Sequence, residues 1–168
     1  MLDVPLVVVA CPRPVSFMAH QGLFADPVRA SFFYAMGGYP VDPERGRDAG
    51  ALGFGLAVLR RGEVLGLFPE GTRSYRELMK PFLAGAAWLS LRSGVCIVPC
   101  GIVGTETPAG RGWSRWLRRR WVRVAFGEPI LPVTGPEPAD EVVVRRARIQ
   151  ELTDRVRGSV AALTGDPR

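Results

Sequence analysis

Residues 66–77 read GLFPEGTRSYRE, which places Pro69, Glu70, Gly71, Thr72 and Arg73 directly after an apolar run. These residue types suit an anionic ligand. The planar guanidinium of Arg73 can hold a phosphate or carboxylate through two parallel hydrogen bonds, a geometry that an ammonium lacks. Gly71 lets backbone approach a ligand closely, and Thr72 adds a hydroxyl donor. Glu70 cannot attract phosphate, so its natural jobs are to accept from a substrate hydroxyl or to brace Arg73. The competing reading is an ordinary turn carrying a surface salt bridge. The stretch has neither the Gly-Lys-Ser/Thr of a P-loop nor the glycine triplet of a dinucleotide fold, so it does not announce a nucleotide enzyme.

Composition sets the frame in which that turn must sit. At 168 residues, 47% of them hydrophobic and 23% charged, the chain fits one globular domain with a real core. Twenty-two Lys and Arg against 16 Asp and Glu give a net charge of +6. The partner implied is anionic: a phosphorylated substrate, a membrane headgroup or a nucleic acid. Cys11, Cys96 and Cys100 are an odd number without metal-type clustering or a histidine nearby, so no metal is expected and reduced core thiols in a cytosolic setting are the reading. No apolar run reaches the roughly 18 residues needed to cross a bilayer.

The elements that must position the turn alternate along the chain. PLVVVA (5–10) is short, β-branched and continuous, and predicts a strand buried on both faces. DPVRASFFYAM (26–36) predicts a helix capped by Asp26, with Pro27 at its first position and Gly37-Gly38 as its stop. YPV (39–41) is a strand, DAGALGFGLAVLRRG (48–62) a helix closed by Gly62, and EVLGLF (63–68) a buried strand running into Pro69. A helix over 80–94, a strand over 95–104 and a strand over 121–130 follow. The final helix carries Ile149, Leu152, Val156 and Val160 at helical spacing. Alternation of this kind predicts an α/β layered single domain with a mostly parallel buried sheet flanked by helices, and ligands gather at the carboxyl ends of such strands.

With LFPEGTRS in place, IVPCGIVGTE (97–106), FMAHQGLFADP, GGYPVDPERG and FLAGAAWLS complete an ordered set of blocks. In order and spacing, the set resembles the glycerolipid acyltransferase family of the 1-acyl-sn-glycerol-3-phosphate type. The resemblance runs from Leu2 to about Ile130. It implies a glycerol-3-phosphate acyltransferase-like fold and transfer of an acyl chain from an acyl-CoA or acyl carrier protein thioester to a lysophospholipid hydroxyl, in phospholipid biosynthesis. It implies no bound cofactor, the thioester being a co-substrate. It assigns Glu70, Gly71, Thr72 and Arg73 to the acceptor phosphate, and it gives Pro69 and Pro99 a place in the acyl or structural motifs. Residues 1–130 would be the acyltransferase domain, and residues 131–168 a linker with a C-terminal helix.

The same resemblance shows where this chain departs. The family uses a His-x4-Asp pair, in which the imidazole removes the hydroxyl proton and the aspartate orients and supports it. His20 is the only histidine and has Ala25, not aspartate, five residues on. It falls in a block that resembles the segment downstream of the pair, so it is expected to be structural. MLDVPLVVVA resembles the tail of the catalytic motif instead. That makes Asp3 the motif's aspartate and puts its histidine before Met1, in a protein longer than this sequence. The family's arginine after the Val-Asp pair is Pro43 here, with Arg45 the nearer substitute and Arg47 the farther. Leu83 stands where the family often has a basic residue.

RGWSRWLRRRWVRV (111–124) interleaves tryptophan and arginine, which suits peripheral attachment to an anionic membrane at its cytoplasmic face. The alternative is a solvated arginine face with tryptophans packed inward, Trp121 in particular belonging to the strand core. Phe24, Phe32, Phe33 and Trp88 could line an acyl channel or simply pack in the core. Two further readings stay open: a catalytically inactive lipid-binding relative, and a basic module that binds nucleic acid through arginine and stacked tryptophan. The blocks favour a lipid partner and no nucleic acid.

Overall fold

The computed structural model describes residues 3–41, 49–71, 79–105, 121–133 and 141–165. Its strands form two sheets. β1 (Val15–His20) lies between β2 (Gly38–Val41) and β3 (Val64–Gly66), parallel to both, in the order β2-β1-β3. β4 (Cys100–Val103) and β5 (Arg123–Phe126) pair antiparallel, and an isolated bridge joins Ile97 to Ile130. Around them run α1 (Asp3–Ala10), a short 3-10 turn (Gln21–Phe24), α2 (Pro27–Ala35), α3 (Ala49–Arg60), α4 (Gly85–Ser93) and α5 (Glu141–Thr164). The α/β layout with a parallel sheet is the one the alternation predicts; the antiparallel β4–β5 pair is a feature that the alternation does not separate.

One element changes type. PLVVVA is not a strand but most of α1, and Val9 is 86% exposed rather than buried on two faces. The valines are stiff and only modest helix formers, but a strand needs a ladder partner. Both edges of β1 are taken by β2 and β3, while α1 packs beside β5. Asp3 in the first turn complements the helix dipole. The central strand itself comes from VSFMAH, to which the periodicity assigned nothing. The signal was there as alternation, since Val15 and Phe17 are buried and their neighbours are not.

Several local expectations hold at the atomic level. The Asp26 carboxylate accepts from the N–H of Arg29 at 2.9 Å, and Pro27 opens α2. Gly94 closes α4 in the left-handed conformation, donating to the Ser90 carbonyl. Helix α4 nonetheless starts at Gly85, not 80, because residues 80–83 are used elsewhere.

The core that holds the two sheets' helices together is formed by Ala87 of α4, Ile130, and Leu152 and Val156 of α5, with Phe82, Leu91, Ile97 and Ile149 packed on it. Each leucine, isoleucine or valine of this cluster withdrawn from water contributes about 1.5–3 kcal/mol. On β4, Gly101 lets α5 lie close: a Cβ there would fall 2.8 Å from the Cβ of Leu163. Arg123 of β5 donates to the Leu163 carbonyl at 2.7 Å, satisfying part of the open C-terminal turn of α5. The three cysteines are free thiols.

Candidate active site

β3 ends at Gly66, and the chain continues through Leu67 and Phe68 into Pro69, Glu70 and Gly71, at the carboxyl end of the parallel sheet. The turn is tight. Gly71 donates its N–H to the Phe68 carbonyl at 3.1 Å and has φ +66°, a left-handed conformation that L side chains resist. Residues 80–83 then run beside it: Leu83 donates to the Pro69 carbonyl at 2.7 Å, and Lys80 donates its backbone N–H to Glu70 Oε2 at 3.2 Å. Glu70 thus has a job that residue types did not suggest, tying the turn to this returning segment. The same two bonds explain the late start of α4.

Two apolar side chains flank the turn. The Phe68 ring stacks on Phe17, with centroids 5.9 Å apart and planes 20° apart, yet Phe68 remains 46% exposed. Leu83, 61% exposed, places its Cδ1 2.5 Å from where a Cβ on Gly71 would lie. Sequence reasoning noted Leu83 only as a lost positive charge and did not single out Phe68. Phe68 is bonded locally, by Gly71, but the place of Leu83 follows from its backbone bond to the distant Pro69, which no local pattern reveals.

The remaining candidates fall apart into separate places. Asp3 begins α1, and its Oδ1 is buried with no hydrogen-bond partner among the described residues. A buried carboxylate oxygen without a hydrogen bond costs stability. His20 lies exposed at the end of β1, and its Nδ1 accepts from the N–H of Gly22 at 3.0 Å, capping the 3-10 turn. Pro99 is fully buried and accepts at its carbonyl from Gly127 at 2.9 Å, so it belongs to the packing of the β4–β5 pair and not to the turn. Arg45, Thr72 and Arg73, like Arg47 and residues 111–120, lie outside the described residues. Trp121 is corrected: it is 95% exposed, because β5 begins only at Arg123. Phe24 of the 3-10 turn packs ring to ring on Phe33 and Tyr34 of the last turn of α2 at 4.9–5.7 Å, and Phe32 meets Phe33 edge-on.

The charged groups outside the turn have local explanations. Arg61 and Glu63 form an exposed ion pair at 2.6 Å at the entry to β3, the opposite end from the turn; their hydrogen bond raises the guanidinium pKa and lowers that of the carboxyl. Burial, and then the nearby Cys11, pushes the Cys100 thiol up. Among the described residues no group of three His, Cys, Asp or Glu side chains is arranged to hold a metal ion, and no helix is long and apolar enough to cross a membrane.

Comparison with known proteins gives the family of the chain. The family model described as Acyltransferase matches residues 1–103, from before Asp3 through the turn to the end of β4. The chain belongs to the acyltransferase family. The chloroplastic 1-acyl-sn-glycerol-3-phosphate acyltransferase BAT2 of Brassica napus is 32% identical to this acyltransferase over 117 residues, 68% of this chain and 33% of its own length. LPAT1, the chloroplastic enzyme of the same name from Arabidopsis thaliana, is 31% identical over 121 residues, 70% of this chain and 33% of its own. The 1-acyl-sn-glycerol-3-phosphate acyltransferase of Bacillus subtilis is 24% identical over 119 residues, 71% of this chain and 56% of its own. The chain thus spans about a third of the length of the plant relatives. The fold of the acyltransferase is that of the crystal structure of the 1-acyl-sn-glycerophosphate (LPA) acyltransferase PlsC from Thermotoga maritima, with a TM-score of 0.62 at 23% identity over 94% of this chain and 61% of the other.

Proposed function

We propose that this acyltransferase chain serves the transfer of a fatty acyl group from acyl-CoA or acyl carrier protein to the free hydroxyl of 1-acyl-sn-glycerol 3-phosphate, giving phosphatidic acid. The observation that carries the proposal is the family match spanning Asp3 and the Pro69–Gly71 turn, with that turn braced at the carboxyl end of a parallel sheet. In the reaction a base takes the acceptor hydroxyl's proton, and the oxygen attacks the thioester carbonyl. The C–S bond then breaks, and the departing thiolate takes up a proton. Thr72 and Arg73, next in the chain after Gly71, are the groups for the acceptor phosphate, with Arg45 a further cation for it. Asp3 is the positioning group for a histidine base, and its buried, unmatched Oδ1 supports that role. His20 fits the role poorly, since its Nδ1 already accepts from Gly22. No metal or bound cofactor enters this scheme. Work on a lipid acceptor suits attachment at the cytoplasmic face of a membrane, for which the arginine- and tryptophan-rich segment 111–124 is the candidate.

The test is acyl transfer to 1-acyl-sn-glycerol 3-phosphate by the protein as its own cell makes it, beside Asp3→Ala and Arg73→Ala. Asp3→Ala is expected to lower turnover by about 10²- to 10⁴-fold, the range for losing acid–base function. Arg73→Ala is expected to weaken acceptor binding by about tenfold or more, the scale of a charge-assisted pair. Turnover indifferent to Asp3 would overturn the assignment. A second reading, lipid binding without turnover, is favoured by one observation: the sole histidine is engaged in a local cap. Acceptor binding with no product in the native protein would establish it.

A further inference from the structure

We propose that the cleft at the amino end of the parallel sheet is a second binding site, apart from acyl transfer, whose ligand is an aromatic anion: a planar ring carrying a phosphate or a carboxylate. The cavity measures about 490 Å³ and lies where β1, β2, α3 and the end of α2 meet, a volume within the range of small-ligand sites. Ser16 near the start of β1 and Gly38 at the start of β2 line it, whereas the Pro69–Gly71 turn follows the carboxyl end of β3. All three strands run parallel, so the two places lie at opposite ends of the sheet.

The lining combines rings with hydrogen-bonding groups that the fold leaves unmatched. The rings of Tyr39 and Phe54 lie 3.7 Å apart with planes 9° apart, and Tyr39 is 45% exposed. A planar ligand ring extends that stack. Phe17 donates to the Gly37 carbonyl at 2.8 Å, so in the parallel ladder the Gly38 N–H points away from β1, at the edge of this sheet. Among the described residues that N–H and the hydroxyls of Ser16, Tyr34 and Tyr39 have no hydrogen-bond partner. Arg61 gives its Nε and Nη2 to Glu63, and its Nη1 has no partner among the described residues. Arg60 stands in the same turn, and Arg13 donates to the Gly62 carbonyl within it, so three guanidiniums face one carboxylate there. The field at this end attracts an anion. Glu63 already answers part of the Arg61 charge, so a bare phosphate gains little, and an uncharged ring leaves the donors without an acceptor. A ring with an anionic group meets both kinds of surface at once.

Calorimetry with the full chain tests this. The probes are adenosine monophosphate and 4-hydroxyphenylacetate as ring-bearing anions, adenosine as the ring without charge, and inorganic phosphate as the charge without the ring. At least one ring-bearing anion is expected to bind about tenfold or more above adenosine and phosphate, and which one binds tells a nucleoside phosphate from an aromatic carboxylate. Arg61→Gln is expected to weaken that anion about five- to tenfold, the scale of a hydrogen bond to a charged group. Glu63→Gln is expected to act the other way, tightening it about two- to fivefold as the guanidinium leaves an exposed pair. Both side chains are largely exposed, so both variants keep the fold, and acyl transfer to 1-acyl-sn-glycerol 3-phosphate is expected to stay unchanged in each. Affinity that moves the same way in both variants, or in neither, overturns the site. A wild type that binds none of the probes overturns it, as does phosphate binding as tightly as the ring-bearing anions. Displacement of the bound anion by 1-acyl-sn-glycerol 3-phosphate assigns it to the acyl-transfer site and overturns the second site too.

Discussion

The turn after β3 leaves Phe68 and Leu83 in solvent and holds its shape with three backbone N–H groups, whereas the β4–β5 pair is closed by α5 on one face and flanked by α1. In the first region hydrogen bonds set the geometry and two apolar side chains stay exposed. In the second, glycine at 101 and arginine at 123 bring a helix close, while Phe126 of β5 and Leu131 just beyond it stay exposed. Backbone hydrogen bonds thus set the turn, and helix packing carries the stability of the β4–β5 region. Pro99, which the sequence grouped with the acyltransferase motifs, sits on the stability side.

The separation predicts where damage is felt. Leu152→Ala empties a buried position between α5 and α4 and is expected to cost about 3 kcal/mol, within the 2–5 kcal/mol of such truncations. Urea unfolding reads the loss, and acceptor affinity should survive it below the transition. An affinity that fell in step with stability would break the contrast and show the two ends to be coupled.

Gly71→Ala acts at the other end and is smaller for the fold. A left-handed conformation costs an L residue about 1–2 kcal/mol, and Leu83 must swing aside for the new methyl group. The expected result is a modest fall in melting temperature with a clear loss of acceptor affinity. Lost stability with full affinity would make Gly71 a purely structural residue.

Smallest is a rate effect at Cys100. Its thiol is raised first by burial and then by Cys11, so at mildly alkaline pH it carries less of the reactive thiolate. Alkylation of Cys100 should be slower in the folded than in the urea-unfolded chain, with the gap narrowing as pH rises. Equal rates would show that this face of β4 is open.

How much of this was legible depends on the range of the interaction involved. The Asp26 cap, Pro27 and the Gly94 stop act within one helical turn, and each stands where the sequence put it. The ordered blocks between Leu2 and about Ile130 named the family, whose model matches residues 1–103, because residue types in fixed order carry chemistry without coordinates. The brace from Lys80 to Glu70, the seat of Leu83 on Gly71 and the unmatched oxygen of Asp3 join or isolate residues far apart in the chain, and no spacing rule contains them.

The sequence by itself determined the α/β class, the family, the acidic-glycine turn after β3 and the position of α2. Tertiary structure alone decided that PLVVVA is a helix, since VSFMAH occupied the centre of the sheet with a partner on each edge and left that valine run no ladder to join. It also decided that Glu70 ties down residues 80–83 and that Trp121 faces water. Local propensity is worth tenths of a kcal/mol to about 1 kcal/mol per residue. Ladder partners and burial outweigh it wherever they are won or lost together, and only the assembled fold says where that is.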